Sequence, residues 1–122
     1  YEYGFATSEV MFVGHNITGF DLRFLYQRSV VNGIKPPKYI PFQAKPWDKQ
    51  VFDTMTAWNP DREKRTSLDR LCKILGVESP KADMDGSQVA QAWADGRGDE
   101  IAEYCLRDVT ATRKIFNKLN FN

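Results

Sequence analysis

Short apolar runs and helical apolar spacing follow one another along the chain, which is typical of an α/β protein. The continuous apolar run Val10–Val13 predicts a strand buried on both faces. From Asp21 the spacing becomes that of a helix, and Asn32-Gly33 ends it. The run at 51–55 predicts a second strand.

The second half of the chain is helical in pattern. Capping residues and apolar spacing predict three further helices, beginning at Thr66 or Ser67, at Ser87 and at Asp99. The first of them ends at Gly76 and the second at Ala94. In the last and longest helix, the predicted apolar stripe is centred on Cys105 and Val109 and consists of Ile101, Cys105, Val109, Thr112, Ile115, Phe116 and Leu119.

Only two strands are predicted, and a two-stranded sheet is rarely stable alone. Because the length of 122 residues allows one domain and not two, we expect a single domain over residues 1–122 that lacks its N-terminal strands. The segment 1–5 has no start methionine and no cap, so it reads as the end of an element that begins upstream. We expect the sheet to be completed by further residues of a longer chain or by a second chain.

Composition narrows the class of protein further. The charged fraction of 27% and hydrophobic fraction of 42% are those of a globular protein with a real core. A net charge of +1 gives no argument for nucleic-acid binding by bulk charge. Basic residues cluster locally at 35–49 and 62–65, which we interpret mainly as solvated surface.

The cysteines and the apolar runs indicate the compartment. Cys72 and Cys105 lie in helical patterns, without the spacing of a disulfide framework or of a zinc site. No apolar run has the length needed to span a membrane, and no signal peptide opens the sequence. We therefore predict a cytoplasmic protein that has no membrane partner.

Two short patterns could carry chemistry. The segment Asn16–Asp21 lies between the first strand and the first helix, and Tyr104 and Asp108 share one face of the last helix. Taken singly, each residue has an ordinary explanation. Asp21 suits a helix N-cap, Asn16 a turn, Asp108 a surface carboxylate and Tyr104 a half-buried core aromatic.

Taken together, the order and spacing resemble the DEDDy-type 3′–5′ exonucleases, a branch of the RNase-H-like nucleases. Their second motif is an Asn, a three-residue gap, an aromatic and an Asp, matched here by Asn16, Phe20 and Asp21. Their third motif is matched by Tyr104 and Asp108. The resemblance is closest to bacterial and phage proteins related to the proofreading exonuclease domain of family-B DNA polymerases, and it also rests on segments 71–77, 84–87 and 101–105.

The resemblance implies an RNase-H-like exonuclease fold, of which this chain holds the C-terminal two-thirds with two strands and about four helices. It implies hydrolysis of phosphodiester bonds at the 3′ end of DNA, with a single strand as the expected substrate. DNA and RNA are not distinguished by the sequence. It also implies two divalent ions, and carboxylate ligands suit Mg²⁺ and Mn²⁺ equally.

The same resemblance assigns roles to the residues. Asp108 would bind the ion that activates water, and Asp21 would hold the second ion. The Tyr104 hydroxyl would orient the attacking water. Asn16 and Phe20 would position the second-motif carboxylate and contact the terminal nucleotide.

His15, the single histidine, precedes the second motif at the edge of the expected site. It is a further candidate for contact with the nucleotide, although packing explains it equally simply.

One part of the family pattern is absent. The first motif, Asp-x-Glu on an upstream strand, has no counterpart before Asn16. Asp61-Arg62-Glu63 has the right letters, but it follows the second motif and lies in a charged loop. Asp53 is interpreted as a structural carboxylate at a strand end. Two readings of other classes therefore stay open: an inactive exonuclease-like domain that binds nucleic acid or acts as a scaffold, and a small α-rich interaction domain.

Overall fold

A computed structural model describes residues 10–80 and 86–122 of the chain. The chain divides into two compact units, and the division falls between Arg65 and Thr66. Each unit has a hydrophobic core of its own. The interpretations of the segments 1–5 and Met84-Asp85 lie outside the described residues, and the prediction of a single domain stays a prediction.

The first unit contains a parallel pair of strands with a helical crossover. Phe12 pairs with Val51, Val13 with Phe52 and Gly14 with Asp53. Its elements are strand β1 (Phe12–Gly14), a π-helical turn (Ile17–Asp21), helix α1 (Leu22–Val31), strand β2 (Val51–Asp53), helix α2 (Thr54–Trp58) and a 3-10 turn (Arg62–Lys64).

The core of this unit lies beneath the segment that joins β1 to α1. Ile17, Leu22 and Val51 are buried at its centre. Part of the long proline-containing segment after α1 packs against them. The half-buried residues around the centre are Phe12, Ile40, Phe42 and Ala44.

Both strands differ from the sequence prediction in extent. The first is displaced to Phe12–Gly14, and its residues Phe12 and Val13 are half-buried rather than buried on both faces. The second ends at Asp53, and the residues from Thr54 onward form helix α2, which the sequence did not predict. The change of structure occurs there because the Asp53 carboxylate accepts a hydrogen bond from the Met55 backbone N–H and so caps a helix.

All regular elements among the described residues of the second unit are helical. Ser67 caps its first helix by accepting a bond from the Arg70 N–H at 3.2 Å, and Gly76 ends that helix at φ 70°, so both predicted boundaries are confirmed. Its elements are α3 (Leu68–Leu75), a 3-10 turn (Gly86–Gln88), α4 (Val89–Ala94) and α5 (Gly98–Leu119).

Two predicted helix starts in this unit are shifted. Ser87 lies within the 3-10 turn, and the N-cap of α4 is Gln88, which makes no side-chain capping bond. Asp99 lies in the first turn of α5, whose N-cap is Arg97. At that position the Asp99 carboxylate interacts favourably with the helix dipole instead of capping the end.

The buried face of α5 agrees only in part with the predicted stripe: Thr112 and Ile115 are buried as predicted, but the predicted centre on Cys105 and Val109 is not. Cys105 is exposed and Val109 is 56% exposed, whereas Ala111, Thr112 and Ile115 are buried. The small Ala111 lets α3 approach closely, so Leu71 and Cys72 pack in one cluster with Ala111 and Ile115. The side chains at 104 and 108 follow the same spacing and therefore lie on the inner face of the helix.

The described residues thus combine two parallel strands with five α-helices, a mixed architecture compatible with an α/β exonuclease-like fold. Among them, no helix has the length and apolar character needed to cross a membrane.

The packing of α5 generates a stability prediction. Ile115→Ala should lower the free energy of unfolding by about 2–5 kcal/mol, because it leaves a cavity against α3. Val109→Ala removes apolar atoms from the same helix at an exposed position, so its cost should stay below about 0.5 kcal/mol. Urea denaturation followed by circular dichroism measures both. A larger loss for Val109→Ala than for Ile115→Ala would place the other face of the helix inward.

Candidate active site

The segment of the second motif lies at the carboxyl ends of both strands. Because β1 and β2 are parallel, their C-terminal residues, Gly14 and Asp53, are neighbours in the ladder. His15 and then Asn16 follow the last residue of β1, and Asp53 is the last residue of β2. Crevices at the carboxyl edge of parallel strands are the usual place for ligands in α/β proteins.

The Asp53 carboxylate holds this segment in place. It is 2% exposed and accepts hydrogen bonds from the Asn16 N–H at 2.8 Å and the Thr18 N–H at 3.2 Å. The Thr18 hydroxyl donates at 2.8 Å, and the Met55 N–H donates at 3.1 Å. A buried carboxylate is stable only when its oxygens are bonded in this way. The interpretation of Asp53 as a structural carboxylate at a strand end is therefore supported.

Asn16 adopts a left-handed backbone conformation, φ 61° and ψ 33°. Asparagine enters this region more readily than most residues, which suits it to the sharp turn after the strand. Its side-chain oxygen lies against Gly19, where an added Cβ would lie well inside contact distance of Asn16 Oδ1. Gly19 therefore leaves the space that the Asn16 amide occupies.

The residues after Asn16 form a π-helical turn, in which the Leu22 N–H bonds to the Ile17 carbonyl. Ile17 and Leu22 anchor the two ends of the turn in the core, at 7% and 2% exposure. Phe20 and Asp21, between these anchors, are exposed. Isolated π-helical turns are rare and frequently lie at functional sites, since the extra residue redirects the side chains around it.

Asp21 occupies the N-cap position of α1, as predicted. Its backbone is right-handed helical, φ −60° and ψ −48°, and its side chain makes no capping bond to the amides of α1. The N-cap explanation therefore holds for the position of Asp21 and not for its side chain. The carboxylate lies at an exposed position.

Phe20 is 58% exposed and stacks on Phe24, one helical turn later. The ring centroids are 5.7 Å apart, and the rings are inclined by 13°. An exposed pair of parallel rings beside a carboxylate offers a flat surface of the kind on which nucleobases stack.

His15 packs behind the motif. Its Nδ1 lies 2.9 Å from the Thr54 hydroxyl oxygen, and the same hydroxyl donates to the Gly14 carbonyl at 3.4 Å. The ring thus braces the junction between the ends of β1 and β2 and the start of α2. Contact between His15 and a nucleotide stays a prediction.

Tyr104 and Asp108 lie on successive turns of α5 in the second unit, and both are half-buried. The buried Thr112 hydroxyl donates to the Asp108 carbonyl at 2.8 Å and fixes the next turn. Burial raises the pKa of the Cys72 thiol, and the charges of Asp69 and then Asp108 raise it further.

The structure places the predicted site residues in two groups. Asn16, Phe20 and Asp21 share one turn, and Tyr104 and Asp108 share one helix face. Within residues 10–80 and 86–122, no group of three or more histidine, cysteine, aspartate or glutamate side chains is arranged to hold a metal ion.

The second Asp-x-Glu pattern has a local task. Asp61 Oδ1 accepts the Glu63 N–H at 3.0 Å and closes the 3-10 turn, in agreement with its interpretation as a loop.

Comparison with known proteins extends these observations. Residues 3–121 match a family of predicted 3′–5′ exonucleases related to the exonuclease domain of PolB. Over 114 residues the chain is 28% identical to an uncharacterized protein of Methanocaldococcus jannaschii, an alignment that covers 88% of this chain and 62% of the relative. The chain thus spans less than two-thirds of the length of that relative. No solved structure matches the chain.

The contacts of Asp53 generate a second prediction. Asp53→Asn keeps the shape of the side chain but turns an NH₂ group toward N–H donors, so we expect a loss of about 1–3 kcal/mol in unfolding free energy. Asp61→Asn makes the same change at an exposed turn and should cost less than about 1 kcal/mol. Urea denaturation of both variants checks the difference. Equal stability of Asp53→Asn and the unaltered protein would show that the carboxylate does not hold the motif.

Proposed function

We propose that this chain, which belongs to the family of predicted 3′–5′ exonucleases related to the exonuclease domain of PolB, hydrolyses phosphodiester bonds at the 3′ end of single-stranded DNA with two divalent metal ions. The observation that carries the proposal is the placement of Phe20 and Asp21. A buried carboxylate and two core anchors hold them outward at the carboxyl edge of the parallel strands. Such a constrained and exposed arrangement presents an aromatic ring and a carboxylate together to a ligand.

The donors offered by the chain suit hard cations. Asp21 in the first unit and Asp108 in the second are the proposed ligands, and carboxylate oxygens are the ligands that Mg²⁺ and Mn²⁺ prefer. When bound, the ions supply an activated water and stabilise the charge on the leaving oxygen. In the exonucleases that the chain resembles, an Asp-x-Glu pair upstream of the second motif completes the ligand set. The RNase-H-like fold is part of the same proposal.

The remaining residues act on the substrate and on the water. Phe20, extended by Phe24, stacks on the terminal base and holds the 3′ end against the site. The Asn16 amide, which lies in the space left by the missing side chain of Gly19, bonds the terminal nucleotide. The Tyr104 hydroxyl orients the attacking water, which lowers the entropy lost on reaching the reactive geometry.

A second candidate function is an inactive exonuclease-like domain that binds nucleic acid or acts as a scaffold. It is favoured by the missing first motif and by the incomplete metal-ligand set among the described residues. The two functions differ in one measurement. Release of nucleotides from a 3′ end by the protein as its gene encodes it supports the exonuclease, and binding without cleavage supports the alternative.

Substitutions on α5 test the proposed roles. In a Mn²⁺-dependent assay on 3′-labelled single strands, Asp108→Asn should lower kcat at least about 100-fold, the loss typical of one strong electrostatic element. Tyr104→Phe should cost less, because it removes only a hydroxyl that orients water. Asp99→Asn, an exposed carboxylate in the first turn of the same helix, is the matched control and should leave kcat unchanged.

Three results would contradict these roles. Activity that persists in excess chelator would exclude the two-ion mechanism. Loss of activity in Asp99→Asn equal to that in Asp108→Asn would indicate general damage to the helix. A Tyr104→Phe enzyme as inactive as Asp108→Asn would exclude water orientation as the role of the hydroxyl.

Gly19→Ala tests the role of Asn16 without changing Asn16. The added methyl group displaces the end of the Asn16 side chain, which can rotate away at small cost in stability. We expect kcat/KM to fall at least about 10-fold, in the range lost with one substrate hydrogen bond, while the melting temperature changes little. Gly98→Ala adds a methyl at ordinary contact distance, 3.5 Å from Trp93, and should leave both quantities unchanged. An unaltered kcat/KM in Gly19→Ala would remove Asn16 from the site.

A further inference from the structure

An open groove of about 610 Å³ runs from the second motif across the first unit. One end is formed by Asn16, Thr18 and Gly19, so the groove begins where the proposed substrate end is held. The rest is formed by α1, by the loop between α1 and β2, and by the residues after α2. Apolar side chains line part of it, among them Phe42, Pro46 and Met55.

The charged side chains of the groove are mostly basic. Arg23, Lys45, Arg62 and Arg65 line it, against one acidic side chain, Asp61. The chain as a whole carries a formal charge of only +1, so positive charge is concentrated here. A local strip of this kind attracts phosphates even where the net charge of a protein is small.

These basic groups are not neutralised by partners within the described part of the chain. The ion pairs found there lie elsewhere, between Lys73 and Asp69, Arg97 and Glu100, and Arg107 and Glu103. The guanidinium of Arg23 lies over the Tyr26 ring, 5.5 Å from its centroid, which leaves its charge available.

The segments that carry the basic residues are held by local hydrogen bonds. Asp61 Oδ1 accepts the Glu63 N–H, and the Asp61 N–H donates to Asn59 Oδ1, both at 3.0 Å. These bonds fix the backbone at the start of the 3-10 turn Arg62–Lys64, which Arg65 follows. The Lys45 N–H donates to Asp48 at 2.8 Å and fixes the opposite loop. Preorganised cations lose less entropy when a ligand binds.

We propose that this groove binds the phosphodiester backbone of a single nucleic-acid strand and guides its 3′ end to the second motif. The inference rests on the proposed function and adds the path of the substrate to it. The basic residues contact phosphates, which gives affinity without sequence preference. The apolar patches of the wall accommodate base and sugar faces between the phosphate contacts. Arg62 and Arg65, interpreted from sequence as solvated surface, become substrate-binding residues.

The test is a binding measurement that needs no catalysis. Fluorescence anisotropy of a 5′-labelled oligothymidylate is followed in excess chelator, with the whole protein, over a range of salt concentrations. Arg62→Gln with Arg65→Gln should reduce the slope of log K against log salt by about 1.4, and should weaken binding about 25-fold near about 0.1 M salt. Lys35→Gln with Lys38→Gln removes the same charge from exposed positions outside the groove and should change binding by less than about twofold.

Each other outcome overturns a defined claim. Equal affinity and slope for both double variants would overturn the groove, and so would a complete lack of binding by the unaltered protein. Groove-dependent binding of a labelled polyglutamate as tight as that of the oligonucleotide would reassign the groove to an acidic protein partner. If the strand binds in a groove-dependent way but no nucleotide is released in Mn²⁺, the proposed binding role of the groove is supported and the proposed exonuclease activity is contradicted. A parallel series with oligouridylate distinguishes DNA from RNA as the source of the backbone.

Discussion

The buried carboxylate of Asp53 is the contact on which the first unit depends. It lies at the end of β2, caps α2 and accepts bonds from Asn16 and Thr18. One side chain therefore holds together the end of β2, the start of α2 and the segment after β1. Burying a carboxylate costs several kcal/mol unless its oxygens are bonded, and here the bonds come from the segment that must be positioned. The position of the motif and the stability of the unit therefore depend on the same bonds.

That dependence explains why Asp53 itself is a poor metal ligand. Both of its oxygens are bonded to N–H or hydroxyl donors, which occupy the lone pairs that a cation would need. Asp21 shows the opposite arrangement, because it is exposed and makes no capping bond to its own helix. The carboxylate that positions the backbone and the proposed metal ligand are thus different residues, one at the end of β2 and one in the turn after β1.

Local patterns predicted the parts of the fold that local interactions control. The parallel strands, the Ser67 cap and the Gly76 stop were readable because strand runs and capping bonds involve neighbours in sequence. The inner face of α5 was readable only in part: Thr112 and Ile115 were predicted correctly, but Cys105 and Val109 are apolar and yet exposed. The small Ala111 and the polar Thr112 are buried against α3, and only tertiary packing decides between these two faces.

The candidate site, too, could be predicted from the sequence only in part. The order of Asn16, Phe20 and Asp21 could be recognised from sequence, since a motif is a matter of spacing. The π-helical turn could not, because no residue type specifies it; it forms where Ile17 and Leu22 must both reach the core across one extra residue. For Asp53, the available signal was an Asp followed by Thr at the end of a strand pattern. An Asp in this place can accept backbone hydrogen bonds and cap a helix that begins there.

The distribution of positive charge follows from the same architecture. Arg62 and Arg65 flank a turn that closes on Asp61, and Lys45 lies on a loop closed by Asp48, so an acidic residue in each segment bonds to backbone N–H groups. Their carboxylates stabilise the backbone instead of pairing with the neighbouring cations, and the cations keep their charge for a ligand. Composition alone cannot reveal this, because a count of acidic and basic residues treats every carboxylate as a possible partner. Among residues 10–65, three of the five acidic side chains accept backbone N–H groups, those of Asp48, Asp53 and Asp61, and a nearly neutral chain therefore presents a basic groove.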